Sequence, residues 1–277
     1  MPSKRMARIV STALASLTAL AASGHAAEPW PVAVQARYGL RFNGFPVGHI
    51  EFKSKTSASA YSLDANGEIS VLFGAIKWTG NSNVSGVVDS GALKPKSYAF
   101  SWKKKNKGGD IAMKYEGGKA SQVSVAPPPG TGPEYVPLKD EHKAGPLDPM
   151  TAIMMLTRND SRAPCERREA VFDGKQRYDI VFTYKRQTRI PAQAGGQSAI
   201  GIVCRATYEP IAGHRNDVHQ KAYAANRDAE VVLRPVPGTK LIIPYSVSIP
   251  TSWGTGSMVT EHVKVTTTSA GQIAITD

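Results

Sequence analysis

The sequence predicts an all-β fold: a strongly curved antiparallel meander, spiral or partly open barrel, with one short helix on its concave side. Three observations carry this. Apolar side chains recur with a period of two along most of the chain, turn dipeptides interrupt them at short intervals, and one segment alone carries helix signals.

The elements follow in order. Lys4, Arg5 and Arg8 form a basic head before the uncharged stretch from Ile9 to Ala22, and Gly24-His25-Ala26 offers small residues for cleavage. Residues 1–26 therefore read as a secretory signal peptide, with the mature chain, 27–277, expected as a single all-β domain. No Cys follows the apolar run for a lipid to join, and Lys4-Arg5 is no twin-arginine pair. Tyr38, Leu40 and Phe42 then share one face, and Asn43-Gly44 supplies the two positive-φ residues of a tight hairpin leading to the run ending at Phe52. Asn66-Gly67, Ser90-Gly91, Gly108-Gly109, Gly117-Gly118, Asp173-Gly174 and Pro237-Gly238 are expected to mark further reversals, giving roughly a dozen strands. Among these strands, Tyr98, Phe100 and Trp102 form one apolar face. Tyr178, Ile180, Phe182 and Tyr184 form a second, and Ile200, Ile202, Cys204, Ala206 and Tyr208 a third. In the run from Leu241 to Ile249 the odd positions, Tyr245 among them, face inward.

The exception is Asp148 to Arg158. Asp148 suits an N-cap, Pro149 the first helical position and Arg158 the negative end. Met150, Ile153, Met154, Met155 and Leu156 make this helix apolar nearly all round, so it is expected to be buried against the concave face. Before it, residues 126–146 form a Pro/Gly-rich loop, read as internal and not as a domain boundary.

Composition narrows the function classes. With 34 Lys+Arg against 22 Asp+Glu the formal net charge is +12, and loss of the leader removes three basic residues and no acid, leaving +9. A hydrophobic content of 41% excludes a disordered chain, and the lone N-terminal apolar run excludes a polytopic membrane protein. The two cysteines, Cys165 and Cys204, are expected to pair in an oxidising compartment. Nucleic acid is not an expected partner, because Tyr178, Phe182 and Tyr184 alternate away from the basic residues and export removes the chain from the nucleic-acid compartment.

Several segments taken together carry a resemblance: Arg37-Tyr38 to Val47-Gly48, Leu147 to Ala152, Val171 to Asp179, and Cys204-Arg205 followed by Tyr208 to Arg215. As an ordered series over about residues 35–265 they resemble the exported bacterial proteins grouped as domain of unknown function 3108. That resemblance implies a periplasmic, mostly β protein whose curved sheet wraps a helix, similar in architecture to the lipoprotein-localisation carriers of the periplasm. It carries over no catalytic residue.

Each candidate chemistry has an ordinary structural reading beside it. His214, Asp217 and His219 lie close, but in a turn-like stretch they fit no helix face; His142 beside Asp140 and Glu141 is weaker still. No Gly-x-Ser-x-Gly elbow occurs, Gly254 to Met258 reads as a turn, and a hydrolase would have to recruit His262 or His49. Asp173 and Asp179 flank a turn that Asp173 itself closes. No catalytic residue, metal site or cofactor is therefore expected. Met150, Met154, Met155, Trp78, Trp102 and Tyr245 are the candidate lining of an apolar groove. Lys175, Arg177, Lys185 and Arg205 are its candidate basic rim, able to meet acidic envelope components. The expected function is a non-enzymatic periplasmic envelope protein binding an apolar or amphiphilic anionic ligand. An interaction scaffold and a hydrolase of envelope polymers are the alternatives.

Overall fold

The computed structural model describes residues 30–276 apart from 72–73, 158–163, 193–197, 238, 240 and 269–270. The signal peptide, Arg158 and Gly238 thus lie outside the described residues. Fourteen strands form one antiparallel sheet: β1 (Ala33–Phe42), β2 (Phe45–Thr56), β3 (Ala60–Val71), β4 (Ile76–Asp89), β5 (Ala92–Lys104), β6 (Lys107–Glu116), β7 (Lys119–Ala126), β8 (Arg167–Phe172), β9 (Arg177–Ile190), β10 (Ala199–Ala212), β11 (Glu230–Pro235), β12 (Ile242–Thr251), β13 (Gly254–Thr267) and β14 (Gly271–Thr276). The order across the sheet is β7-β6-β5-β4-β3-β2-β1-β13-β12-β11-β10-β9-β8, and β14 pairs with β13. Two meanders, β1–β7 and β8–β13, therefore meet along the β1–β13 ladder, whose register runs from Ala33↔Thr266 to Phe42↔Gly256.

Hairpin chemistry sets the reversals. Asn43 and Gly44 take φ of 50° and 84°, Ser90 and Gly91 50° and 78°, and Gly117 and Gly118 57° and 78°, the double left-handed pair that a two-residue hairpin needs. Two expected turns are instead strand interior. Asn66-Gly67 lies inside β3, where a Cβ on Gly67 would meet Ile50 and Trp78 at 3.5 Å. Gly108-Gly109 lies at the start of β6, after Lys107, and the reversal falls three residues earlier, at Lys105-Asn106, with Lys105 at φ 53°. Gly109 makes room for Trp102, whereas a Cβ on Gly67 would make only ordinary contacts; the dipeptide alone distinguishes neither from a turn.

Alternation also breaks where strands bulge or lose a neighbour. The β11–β12 register shifts between Val232 and Leu233, partnered by Ser246 and Pro244; Tyr245 is the extra residue, where the odd-position rule fails. On β9, Tyr184 is 58% exposed, because β8 pairs no further than Arg167↔Phe182. Ile200, opposite Arg189 on the same uncovered stretch, is 55% exposed.

The outer strands β7 and β8 form no ladder with each other. The connection between them bridges both instead. Gly145 N–H donates to Gly118 C=O at 3.0 Å, Leu147 N–H to Ala170 C=O at 2.9 Å, and Phe172 N–H to Leu147 C=O at 2.9 Å. The expected 126–146 loop is thus a strap across the seam, and it covers part of the edges that would otherwise template pairing with another chain.

The strap delivers α1 (Pro149–Leu156) to the concave face. Asp148, with no exposure, caps it, accepting from Met150 N–H at 3.0 Å and Thr151 N–H at 2.9 Å. The Thr151 hydroxyl lies 2.6 Å from the second Asp148 oxygen and 2.8 Å from the Tyr61 hydroxyl on β3. Met150 and Met154 pack with Tyr61, Leu63, Tyr98 and Phe172, while Met155 lies against this cluster, partly buried. A second helix, α2 (Val218–Ala225), was not expected. Asp217 caps it by accepting from Gln220 N–H at 2.9 Å, so the stretch read as turn-like is a helix start.

Cys165 and Cys204 stand at disulfide distance, with Cα atoms 5.2 Å apart, and pack with Phe182, Val231, Leu233 and Ile242. Thiol labelling of the denatured, unreduced chain is expected to find no free cysteine. Replacing both by Ala should lower the unfolding free energy by about 4 kcal/mol, the chain-entropy value for a loop of this length.

Burial raises the Asp148 carboxyl above its ordinary value of 3.8, against the opposing hydrogen bonds from Thr151 and Met150. The folded state therefore keeps a proton that the unfolded chain releases, so this contribution is full below pH 3.8 and is lost as pH rises through the folded value. Asp148→Asn should flatten that slope in denaturant titrations, while Asp148→Ala should lose the cap, at about 1–2 kcal/mol.

Candidate functional site

Core side chains fill one end of the concave face and leave the other open. Ile69 and Val71 on β3, Leu40 and Phe42 on β1, Met258 on β13 and Val247 and Ile249 on β12 line a groove of about 450 Å³. These residues continue inward-facing rows that begin in the core: Ala65 leads to Ile69, and Tyr38 to Leu40. A second groove, about 420 Å³, lies between Ile180, Ala206 and Tyr208 on the sheet and Tyr223 of α2, and again includes Val247 and Ile249. The shared pair makes the two grooves one trough. Donation from Gln220 Nε2 to the Tyr208 hydroxyl at 2.9 Å, and from Asn226 Nδ2 to Pro250 C=O at 2.7 Å, fastens α2 over one side.

The trough is electrostatically simple. Its lining includes one charged residue, Arg41, which sits at the rim and alternates with the inward-facing Leu40 and Phe42, and no His, Asp or Glu. Arg41 is exposed and forms no ion pair among the described residues. Cavities of about 300–1,000 Å³ with apolar walls and few polar groups are the usual form of a small-molecule site.

The residues expected to line a groove sit elsewhere. Met150 and Met154 are buried in the core with Met155 against them. The Trp78 ring lies over Gly80, where a Cβ would come within 2.4 Å of it, and Trp102 lies over Gly109, where a Cβ would come within 2.6 Å of Nε1. Tyr245, at the bulge, offers its carbonyl to the Thr260 hydroxyl at 2.8 Å. None of these six lines either part of the trough. Of the expected basic rim, Arg177, Lys185 and Arg205 alternate with the inward-facing Tyr178, Ile180, Phe182 and Ala206, which puts them on the convex side. Arg177 is committed to Asp179 and Lys185 to Glu230. Hydrogen bonds from Arg186 and then Lys185 hold the Glu230 carboxyl down to about 2. Arg205 pairs in register with Glu230, and Lys175 lies in the β8–β9 turn, where its N–H donates to Asp173 at 2.8 Å.

A polar cluster inside the core is the competing candidate. Asp148 and Asp173 are both raised by burial. Burial also raises the hydroxyls of Tyr61, Tyr98, Tyr115 and Tyr178; the charge of Asp148 adds to all four and that of Asp173 to the last three. Asp148 is consumed by capping α1, and Asp173 by closing the β8–β9 turn through Lys175 and Gln176. Asp148 and Asp173, bonded in this way, hold the core together. Among the described residues no three His, Cys, Asp or Glu gather as a metal site, and no helix is long and apolar enough to cross a membrane.

The family model described as "Protein of unknown function (DUF3108)" matches residues 36–260, and the chain belongs to that family. Comparison with curated proteins finds no match. Among solved structures, the crystal structure of a β-barrel-like protein of domain of unknown function DUF1849 from Brucella abortus is similar in fold. The TM-score is 0.51 at 11% identity, over 85% of this chain and 98% of that one.

The tryptophan placement is testable. An alanine Cβ at 109 would lie 2.6 Å from Trp102 Nε1 and 2.7 Å from Ala126 C=O. Gly109→Ala should therefore destabilise by about 1–3 kcal/mol in denaturant unfolding and alter the near-ultraviolet tryptophan signal.

Proposed function

We propose that this protein is an exported, non-enzymatic component of the bacterial cell envelope that takes the apolar chain of an anionic amphiphile into the trough. The reading rests above all on one observation. The concave face is filled by core at one end and left as adjoining apolar grooves at the other, with Arg41 beside the rim. An alkyl chain gains burial along Leu40, Ile69, Val247, Ile249 and Met258, and a carboxylate or phosphate head left outside at the rim comes near Arg41. The lack of any His or carboxylate in the lining favours binding over hydrolysis. The strap bonds to both outer strands, at Gly118 and at Ala170 and Phe172, and so takes part of the edge that a scaffold would use. Export to the periplasm, with residues 27–277 acting as one unit, is supported by the basic-then-apolar leader and by the cysteine pair at disulfide distance.

Delipidated protein should take up a fluorescent fatty acid saturably. Ile249→Asp, at a position already 45% exposed, should weaken uptake at least about tenfold by placing a charge in the trough. Arg41→Ala should weaken binding of the acid and leave the corresponding alcohol unchanged. No ligand in native mass spectrometry together with no saturable uptake would refute the proposal.

A further inference from the structure

The end of the sheet onto which the trough opens carries unusual side chains. In an antiparallel sheet of this order, the β1–β2, β3–β4, β5–β6 and β12–β13 tips all lie at one end. Phe45, on the first, is 73% exposed, and Trp253, on the last, is 81% exposed. The two hairpins are tied side by side. Asn43 N–H donates to Thr255 C=O at 2.9 Å, and Thr255 N–H donates to Asn43 Oδ1 at 2.8 Å. Phe42, Ile76 and Ile249 add exposed apolar surface between these prongs and the trough.

The four tips carry basic residues and no acid, whereas the β8–β9 turn and the β10–β11 connection, at the same end, contribute Asp173, Asp217 and Asp228. Residues 41–47 and 249–258 contain Arg41 and no acid. Residues 69–77 contain Lys77, which is paired with Glu68 at 3.1 Å. The β5–β6 tip carries Lys103, Lys104, Lys105 and Lys107, all exposed and free of ion pairs among the described residues, and no acid occurs between 90 and 109.

We infer that this end docks peripherally on an anionic lipid bilayer, with Phe45 and Trp253 entering the headgroup region and the four lysines meeting lipid phosphates. Tryptophan and other aromatic side chains favour that interface, and juxtamembrane lysines bind anionic lipid through the surface potential. Projecting tips suit a deformable lipid surface better than a flat protein face, and their uniform positive sign complements it. Docking would point the trough at the bilayer, so an amphiphile could enter without crossing water. The docking itself requires no ligand in the trough.

Co-sedimentation of the mature chain with vesicles tests this, using phosphatidylcholine alone and phosphatidylcholine with about a third phosphatidylglycerol. The expected result is binding to the anionic vesicles, with quenching of Trp253 by brominated lipid that is lost in Trp253→Phe. The double variant Phe45→Ser/Trp253→Ser should lower partitioning at least about tenfold. Serine at the four lysines should lower it by roughly fivefold per residue on anionic vesicles and abolish the preference for them. Circular dichroism of each variant checks the fold. Absence of vesicle binding, partitioning indifferent to Phe45 and Trp253, or burial of Trp253 in a dimer or a protein complex without lipid would overturn the inference. Fatty-acid uptake is followed in the same samples. Vesicle binding with no uptake supports docking and refutes the ligand reading alone, whereas uptake with no vesicle binding refutes docking alone.

Discussion

A hydroxyl shared between a buried acid and a sheet residue decides which half of the concave face is core. Thr151 touches both Asp148 and Tyr61, at 2.6 and 2.8 Å, and so joins the start of α1 to β3. Every polar atom taken out of water there needs a partner. The N-terminus of α1 finds its partners in Asp148, and Asp148 finds its own in the helix it caps. With α1 held at that point, its methionines occupy one end of the curved sheet, and a helix only eight residues long reaches no further. The trough is what remains.

The same economy of charge shapes the outside. The convex face of β9–β11 spends its basic residues on Asp179 and Glu230, so its positive composition gives little free field there. On β1, β2 and β13, Arg37 is likewise held between Glu51 and Glu261. Among the described residues the β5–β6 tip groups four unpaired cations, while others, such as Lys53, Lys55, Lys96, Lys114 and Lys221, are scattered singly. A net charge of +12 says nothing about this distribution, because an ion pair and two separated charges contribute equally to the sum.

Much of the architecture was legible in local chemistry. Asn43-Gly44, Ser90-Gly91 and Gly117-Gly118 each form the reversal their residue types demand, and Asp148-Pro149 starts a helix as a cap and a first-turn proline should. Errors arose where one residue type serves two purposes. Gly109 stays in a strand because Trp102 needs the space above it, and Gly67 stays in one although a Cβ there would make only ordinary contacts with Ile50 and Trp78. Tyr245 departs from the expected role because it is the extra residue of a bulge, while Val247 and Ile249 beyond it face the trough. The helix after Asp217 escaped notice because its residues have no apolar stripe to reveal a period, although Asp217 itself is an ordinary cap signal.

By itself, the sequence determined the alternation, the turns, the α1 cap and hence an all-β sheet wrapped around a helix, since these depend on neighbours within a few positions. Tertiary structure alone decided where the sheet's edges meet the strap, which inward rows are core and which line the trough, and which cations stay unpaired. Those outcomes depend on the curvature of fourteen strands and on contacts between residues as far apart as Leu40 and Met258. A periodic pattern states that a side chain points inward, but not whether anything waits there to cover it.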